Sequence, residues 1–296
     1  MPHNPKGPDN TSCPLFFYHH KPQRMKTITL LGSGNVGSHL ARAFHAAGYQ
    51  ILQVWSREFD HAEALASQVF AEPINKLSLL YPTADVYILA VADDALFDLA
   101  LDLRLRDALV LHTAGSVSLR VLQPISRRHG VLWSPQTFIR DVPMTYSDLP
   151  FCIEASSPAV EAQMRDLLAP VSQHLYSVDT QQRQWLHLAA VMTNNFGNAI
   201  NALAQELLQR KGLPFEILHP LVTMTAEKVK LDTAADSERP AGLWQQQTGP
   251  ARRQDQKTLD AQRRLLADEP LLLDLYDLMT HLIQSRTIKQ KASHAD

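Results

Sequence analysis

The run Gly32-Ser33-Gly34-Asn35-Val36-Gly37 restricts what this chain can fold into more than any other segment. It has the G-x-G-x-x-G spacing and follows a β-rich stretch, Thr27–Leu31. It opens a segment, Asn35–Ala47, whose apolar residues recur with helical period up to Gly48, a natural helix stop. In such a strand–loop–helix the first glycine allows the tight turn, the second lets a pyrophosphate approach the backbone, and the third lets helix pack on strand. The free N–H groups of the new helix then attract phosphate. The spacing alone is a weak signal, because glycines also make ordinary turns. In this context it predicts a dinucleotide site formed by Gly32, Ser33, Gly34, Asn35, Val36 and Gly37.

The rest of the first half supports that reading by alternating strand and helix. Strands are predicted at Gln50–Trp55, Asp85–Val91, Ala108–His112, Val131–Trp133, Phe151–Glu154 and His174–Val178. Helices are predicted at Asp60–Phe70, Asp94–Leu103, Ser118–Arg128 and Pro158–Leu168. The unbroken apolar run of Asp85–Val91 suits a strand buried on both faces of a parallel sheet. After Asp179 the strand signal stops. Gln184–Lys211, Phe215–Lys230, Leu259–Ala267 and Pro270–Lys289 all read as helix. The fold class expected is α/β, a doubly wound, mostly parallel sheet followed by an all-helical C-terminal domain. The division expected is 25–180 for the nucleotide domain and 181–296 for a helical substrate and dimerisation domain. Residues 1–24 are rich in Pro, Asn and His and lack the apolar centre of a secretory signal. They read as a leader: either Met25 is the natural start, or they form a disordered arm.

The chain has 296 residues, 45% of them hydrophobic, and a net charge of -2. No block of like charge supports a nucleic-acid or membrane-surface role, and no apolar run is long enough to cross a bilayer. Cys13 and Cys152 have neither metal-ligand spacing nor a disulfide pattern, which points to no metal and to a reducing cytoplasm.

The end of the second strand decides the cofactor. An NAD site usually places Asp or Glu there to bind the ribose hydroxyls. This chain has Ser56 and Arg57, which can donate to and pair with a 2′-phosphate. NADP is therefore expected over NAD, with Glu58 as the opposing feature. Val91, Ala92 and Asp93, and then Thr113, Gly115 and Ser116, follow two further strands whose carboxyl ends border a ligand in such sheets. The first five are read as cofactor contacts and Ser116 as a substrate contact. Asp94 reads equally well as a helix cap, and His112 as a structural histidine.

Several of these stretches occur together in one known family. Strand-GSGNVG-helix, Ser56-Arg57, Ala90-Val91-Ala92-Asp93-Asp94, His112-Thr113-Ala114-Gly115-Ser116 and Ser134-Pro135-Gln136-Thr137-Phe138 come in order. They are followed by Ala189-Ala190-Val191-Met192-Thr193-Asn194-Asn195 and Thr248-Gly249-Pro250-Ala251-Arg252-Arg253-Gln254-Asp255. The chain resembles the bacterial Rossmann-like proteins with a C-terminal domain of unknown function 2520, from residue 25 to about 290. That family is similar to pyrroline-5-carboxylate reductase and the β-hydroxyacid dehydrogenases, in which a helical domain builds the substrate pocket and dimer interface. The resemblance implies an NAD(P)-dependent oxidoreductase and a homodimer. The chain departs from its relatives at Ser134, where they often carry His, and at Ala92, where Pro is expected.

Hydride transfer requires alignment and a proton donor. The relatives' lysine is missing from the long helix before Lys211. That helix instead carries His187, Asn194, Asn198 and Asn201, seven, four and three residues apart. At about 3.6 residues per turn these share one face. His187 is a candidate donor and Asn194 a candidate substrate-orienting amide, with Asn198 beside them. A hydrogen-bonded interface seam explains the same row. Arg253 offers a bidentate partner for a carboxylate, with Asp255 to hold it, and a structural Arg–Asp pair is the alternative. Gln136 and Thr137 are candidate pocket residues. The function expected is NADP-dependent reduction of a small oxo acid or imine; the competing reading is a non-catalytic NADP-binding sensor or regulatory protein.

Overall fold

The computed structural model describes residues 26–231 and 242–292. The expectation for residues 1–24 lies outside the described residues. The chain opens with β1 (Thr27–Leu31), α1 (Asn35–Ala46), β2 (Gln50–Trp55), α2 (Phe59–Val69) and β3 (Glu72–Ile74). It then forms β4 (Val86–Leu89), α3 (Asp93–Asp102), β5 (Leu109–His112) and β6 (Arg128–Trp133). The sheet is completed by β7 (Pro150–Ala155), α4 (Pro158–Leu168) and β8 (His174–Ser177).

The eight strands lie in the order β3-β2-β1-β4-β5-β6-β7-β8. The chain winds outward on one side of β1 and then crosses to β4 on the other, so the switch point lies between β1 and β4. All neighbours pair in parallel except β6 and β7. Side chains alternate between two layers. Ile28, Leu30, Val86, Ile88, Leu109 and Leu111 pack with Phe44, Leu65 and Met164 on one face. Leu31, Tyr87, Leu89 and Val110 pack with Leu96, Leu99 and Leu122 on the other. Each such fully buried side chain contributes about 1.5–3 kcal/mol.

The doubly wound, mostly parallel sheet and the helical second half are as expected, with three local differences. The helix expected over Ser118–Arg128 is a single 3-10 turn, Leu119–Leu122, after which β6 starts at Arg128 opposite Leu109. Pro124 removes a backbone donor and clashes with the preceding turn, which stops the helix there. The short edge strand β3 was not anticipated from its three residues. Finally, no helix separates β6 from β7, so the chain turns back at the same end of the sheet and β7 runs antiparallel.

From Thr180 onward the described residues contain helices only. They are α5 (Thr180–Ala190), a π-helical segment (Val191–Phe196), α6 (Gly197–Arg210), a 3-10 turn (Phe215–Leu218), α7 (His219–Leu231), α8 (Pro250–Arg253), α9 (Gln256–Leu265) and α10 (Pro270–Ala292). The change of composition near 180 and the division into compact units fall at different places. One unit runs to Ala199 and the second begins at Ile200. The first helical turns therefore stay with the sheet, and Arg183 on α5 is fully buried against it.

In the second unit, Asp255 caps α9 by accepting from the Thr258 backbone N–H at 3.2 Å and its hydroxyl at 2.8 Å. Arg263 of α9 bridges Asp260 at 3.0 Å and Asp277 of α10 at 2.7 Å. The 23-residue α10 carries apolar side chains around most of its circumference, and Leu271 and Leu278 are 83% and 57% exposed.

Candidate functional site

Strand register brings the sequence's separate candidates to one level. Leu31 pairs with both Trp55 and Leu89, and Leu89 pairs with His112, so β1, β2, β4 and β5 end side by side. The residue after each strand keeps one more ladder bond. Gly32 donates to Trp55 at 2.8 Å, Ser56 to Ile74 at 3.1 Å, Ala90 to Leu31 at 2.7 Å and Thr113 to Leu89 at 3.3 Å.

The glycine loop then does three different jobs. Gly32 has a φ of 111°, and a Cβ there would stand 2.1 Å from the Ala90 carbonyl oxygen. A Cβ on Gly37 would stand 2.1 Å from the Gly32 carbonyl oxygen, so this glycine sets the close packing of α1 on the loop. Around Gly34 a Cβ meets nothing within 4 Å. Gly34 therefore fronts open space above the start of α1, the place where a pyrophosphate approaches the backbone. A cavity of about 210 Å³ opens there, lined by Gly32, Ser33, Gly34, Ser56 and Arg57, and by Val91 and Ala92 from the β4 end. Trp55, His61 and Arg140 line it too. Trp55 is 9% exposed, and its indole N–H has no partner among the described residues. A groove with bare backbone and the side chains of Arg57 and Arg140 fits a dinucleotide phosphate group.

The remaining cofactor candidates stand around this groove. Asn35, Val36 and Gly37 form the first turn of α1, outside the lining. Asp93 lies in the first turn of α3, where the helix dipole favours it, and its carboxylate accepts the Ser116 hydroxyl. Ser116 is thus tied to the β4 end. Thr113 and Gly115 lie on the turn after β5 and line neither this cavity nor the next.

A second cavity, of about 350 Å³, lies beside β6. Trp133, Ser134, Gln136 and Thr137 form one wall, and His187, Thr193, Asn194 and Asn195 another. His187 is its one ionisable side chain. The Ser134 hydroxyl is buried without a partner among the described residues. Trp133 and His187 meet edge to face with ring centroids 5.8 Å apart. Gly115 makes room for both: a Cβ there would stand 2.8 Å from His187 Nδ1 and 2.9 Å from Trp133 Nε1.

The helix that carries the amides departs from a regular α-helical face at one point. Residues Val191–Phe196 are π-helical, which inserts one residue into the helical period. Asn195, eight residues from His187, comes into line with it, and Asn194 borders the same space. Asn198 is exposed on α6 and outside the lining.

Arg183, one turn before His187, fixes this arrangement. It donates to the carbonyl oxygens of Ala114 at 3.1 Å and Gly115 at 2.7 Å, and pairs with Glu154 at 2.7 Å. Thr180 donates to the other oxygen of Glu154 at 2.5 Å. The α5 helix, β7 and the turn after β5 are thereby held together by direct contacts. His112 lies under the same turn, fully buried, with Nδ1 accepting the Ala114 backbone N–H at 3.2 Å. Burial, reinforced by the Arg183 cation, lowers its pKa to about 3, so it stays neutral and structural.

Arg253 is exposed in the second unit, and Asp255 is committed to Thr258 rather than to an arginine salt bridge. Its neighbour Arg252 is the residue that gathers backbone carbonyls, among them Gln247 at 2.5 Å. Sequence reasoning missed His61, Arg140, Arg183 and Asn195. Arg183 carried a usable signal, its position four residues before His187. Arg140 carried none, since it reaches the groove from the irregular segment after β6.

A glycine phosphate loop at the switch point of this sheet, beside a cavity with one ionisable histidine, defines an NAD(P)-dependent oxidoreductase of Rossmann type. Two family profiles match the chain: NADP oxidoreductase coenzyme F420-dependent over residues 27–114, and the domain of unknown function 2520 over residues 149–283. The chain belongs to the family of Rossmann-type NADP oxidoreductases that carry this C-terminal domain. A candidate NADP oxidoreductase from Bacteroides fragilis is 36% identical, with 88% of this chain and 98% of that one covered and a TM-score of 0.78. Two more distant structures share the fold. One is an imine reductase from Myxococcus stipitatus in complex with NADP+, 18% identical over 88% and 93% of the two chains, TM-score 0.57. The other is a pyrroline-5-carboxylate reductase from Coxiella burnetii, 17% identical over 90% and 98%, TM-score 0.55. No curated protein matches the sequence.

Proposed function

We propose that this protein is an NADP-dependent reductase of a small oxo acid or imine. The observation that carries the reading is the presence of two cavities at the carboxyl ends of the sheet's parallel strands. One has the phosphate loop, and the other has a histidine among neutral hydrogen-bonding groups. When bound, NADPH supplies the hydride. The loop Gly32–Gly37 holds the pyrophosphate, and Ser56 and Arg57 take the 2′-phosphate that distinguishes NADP from NAD. His187 gives a proton to the substrate's heteroatom, while Asn194 and Asn195 orient that atom by donating hydrogen bonds. Trp133 closes the cavity with an apolar wall. Gln136 and Thr137, which line the same cavity, are proposed as further substrate contacts, with Ser116 on the turn after β5.

The test is NADPH oxidation against a panel of oxo acids and cyclic imines. His187→Gln should lower kcat about a hundredfold or more without unfolding the protein. Tight NADPH binding with no turnover on the whole panel favours the second reading, a non-catalytic NADP-responsive sensor; the missing lysine supports that alternative.

A homodimer is part of the proposal. Leu271, Leu278 and Leu282 of α10 are exposed, which supports it. Light scattering should give twice the chain mass, and Leu278→Glu should shift it towards one. A cytoplasmic setting is proposed from Cys152, a buried free thiol whose pKa burial raises. No helix among the described residues is long and apolar enough to cross a membrane.

A further inference from the structure

A cluster of charge lies at the other end of the sheet from the glycine loop. A cavity of about 330 Å³ opens where β4, β5 and β6 begin, lined by Arg104, Arg106 and Arg128 together with Asp85 and Asp107. Asp85 precedes β4 and Ala90 follows it, so about 16 Å of extended chain separates this cavity from the dinucleotide groove. Opposite charges that share a cavity commonly pair. Among the described residues, however, none of these three arginines forms an ion pair.

Neutral partners hold three of the charged groups instead. Arg104 donates to the carbonyl oxygens of Leu103 at 2.7 Å and Ala100 at 3.2 Å. Arg128 donates to the Gln163 amide oxygen at 2.7 and 3.2 Å and to the Asp107 backbone carbonyl at 2.8 Å. Asp85 accepts from the Thr27 backbone N–H at 2.9 Å and its hydroxyl at 3.0 Å. The side chains of Arg106 and Asp107 are exposed. The Arg106 backbone is nonetheless fixed, its carbonyl oxygen accepting the Ser126 hydroxyl at 3.3 Å and the Arg127 N–H at 3.4 Å.

We infer that this cavity is a second ligand site, for a small sugar phosphate. The inference goes beyond the cofactor reading and stands whether or not that reading holds. Guanidinium forks match phosphate oxygens, and neutral partners orient two of the forks without cancelling their charge. The carboxylates of Asp85 and Asp107 repel a bare anion but accept from hydroxyl groups. A ligand that answers both carries a phosphate at one end and hydroxyls at the other. The cavity lies within the size range of small-molecule sites, about 300–1,000 Å³. Its lining among the described residues offers carboxylates for hydroxyls rather than rings for a base, which selects a sugar phosphate over a nucleotide.

The experiment is calorimetric titration of the full chain with ribose-5-phosphate, inorganic phosphate and malate, each with and without NADPH. Ribose-5-phosphate should bind, and NADPH should not displace it. Arg106→Ala should weaken it about tenfold or more and leave NADPH binding at the wild-type level. Asp107→Ala should weaken ribose-5-phosphate but strengthen inorganic phosphate, since it removes a hydroxyl acceptor and a like charge together. Displacement of ribose-5-phosphate by NADPH, with no effect of Arg106→Ala, places it in the glycine loop and overturns the inference. Phosphate or malate binding as tightly as the sugar phosphate overturns the ligand class, and no heat at millimolar ligand overturns the site. If NADPH itself does not bind, the cofactor reading falls while the two variants still decide this site.

Discussion

Gly115 and His187 are in such close contact that a single methyl group does not fit between them. A Cβ on Gly115 would lie 2.8 Å from Nδ1 of the imidazole. Gly115→Ala should therefore push the ring, or Trp133 behind it, out of place. We expect a stability loss of about 1–3 kcal/mol by urea unfolding. kcat should fall as well, by up to about a hundredfold, with NADPH affinity unchanged. Wild-type kcat in a folded Gly115→Ala protein would remove His187 from the chemistry.

The glycines of the phosphate loop should separate folding from binding. Gly34 fronts open space, so Gly34→Ala should leave stability within about 0.5 kcal/mol of wild type while weakening NADPH binding about tenfold. Gly37→Ala forces a Cβ against the Gly32 carbonyl oxygen and should destabilise the fold itself. Thermal melts and cofactor titrations of the two variants check the contrast.

Arg183 and Glu154 form a buried pair with 0% and 9% side-chain exposure. Removing one partner leaves the other charged and uncompensated. Arg183→Met should cost about 3–5 kcal/mol, and the double variant Arg183→Met/Glu154→Met should regain much of it. The double variant should still show reduced kcat, because nothing then holds the Ala114 and Gly115 carbonyls beside His187.

His112 gives the protein an acid-sensitive fold. Its pKa is about 3 when folded against an ordinary 6.5. Below 6.5 the unfolded chain takes up a proton that the folded chain refuses, so this residue's support is complete above 6.5 and is lost as pH falls towards 3. The contribution should decline by about 1.4 kcal/mol per pH unit in that window. His112→Phe should flatten the dependence by that amount in denaturant titrations at several pH values.

The π-helical segment sets which amides matter. Asn194→Ala and Asn195→Ala should raise KM or lower kcat on any substrate found, and Asn198→Ala should do so much less. Equal effects at all three positions would mean that an unbroken α-helical face does the recognising.

How much of this could be read from the sequence depends on the range of the physics involved. The strand–Gly32–α1 unit was legible because loop, strand and helix are consecutive and each glycine has a local steric reason. Ser56 and Arg57 followed from the same unit. The π segment was invisible, since Val191–Phe196 has ordinary helix-forming residues and only the structure shows the extra residue. Arg140 and Arg183 act on partners far away in the chain, and no periodicity reports such pairings. Ser118–Arg128 has helical apolar spacing, but Pro124 limits it to a single 3-10 turn. The reversed β7 depended on a connection whose path no local pattern encodes.

That reversal leaves an unequal inheritance within one sheet. The connection between β6 and β7 contains no helix, and it carries Ser134, Gln136, Thr137 and Arg140. Lengthening or rewriting it would leave the register of β1 to β5 and the glycine loop untouched. A lineage built this way can trial new substrates on a single segment while its glycine loop and the Ser56-Arg57 strand end are passed down unchanged.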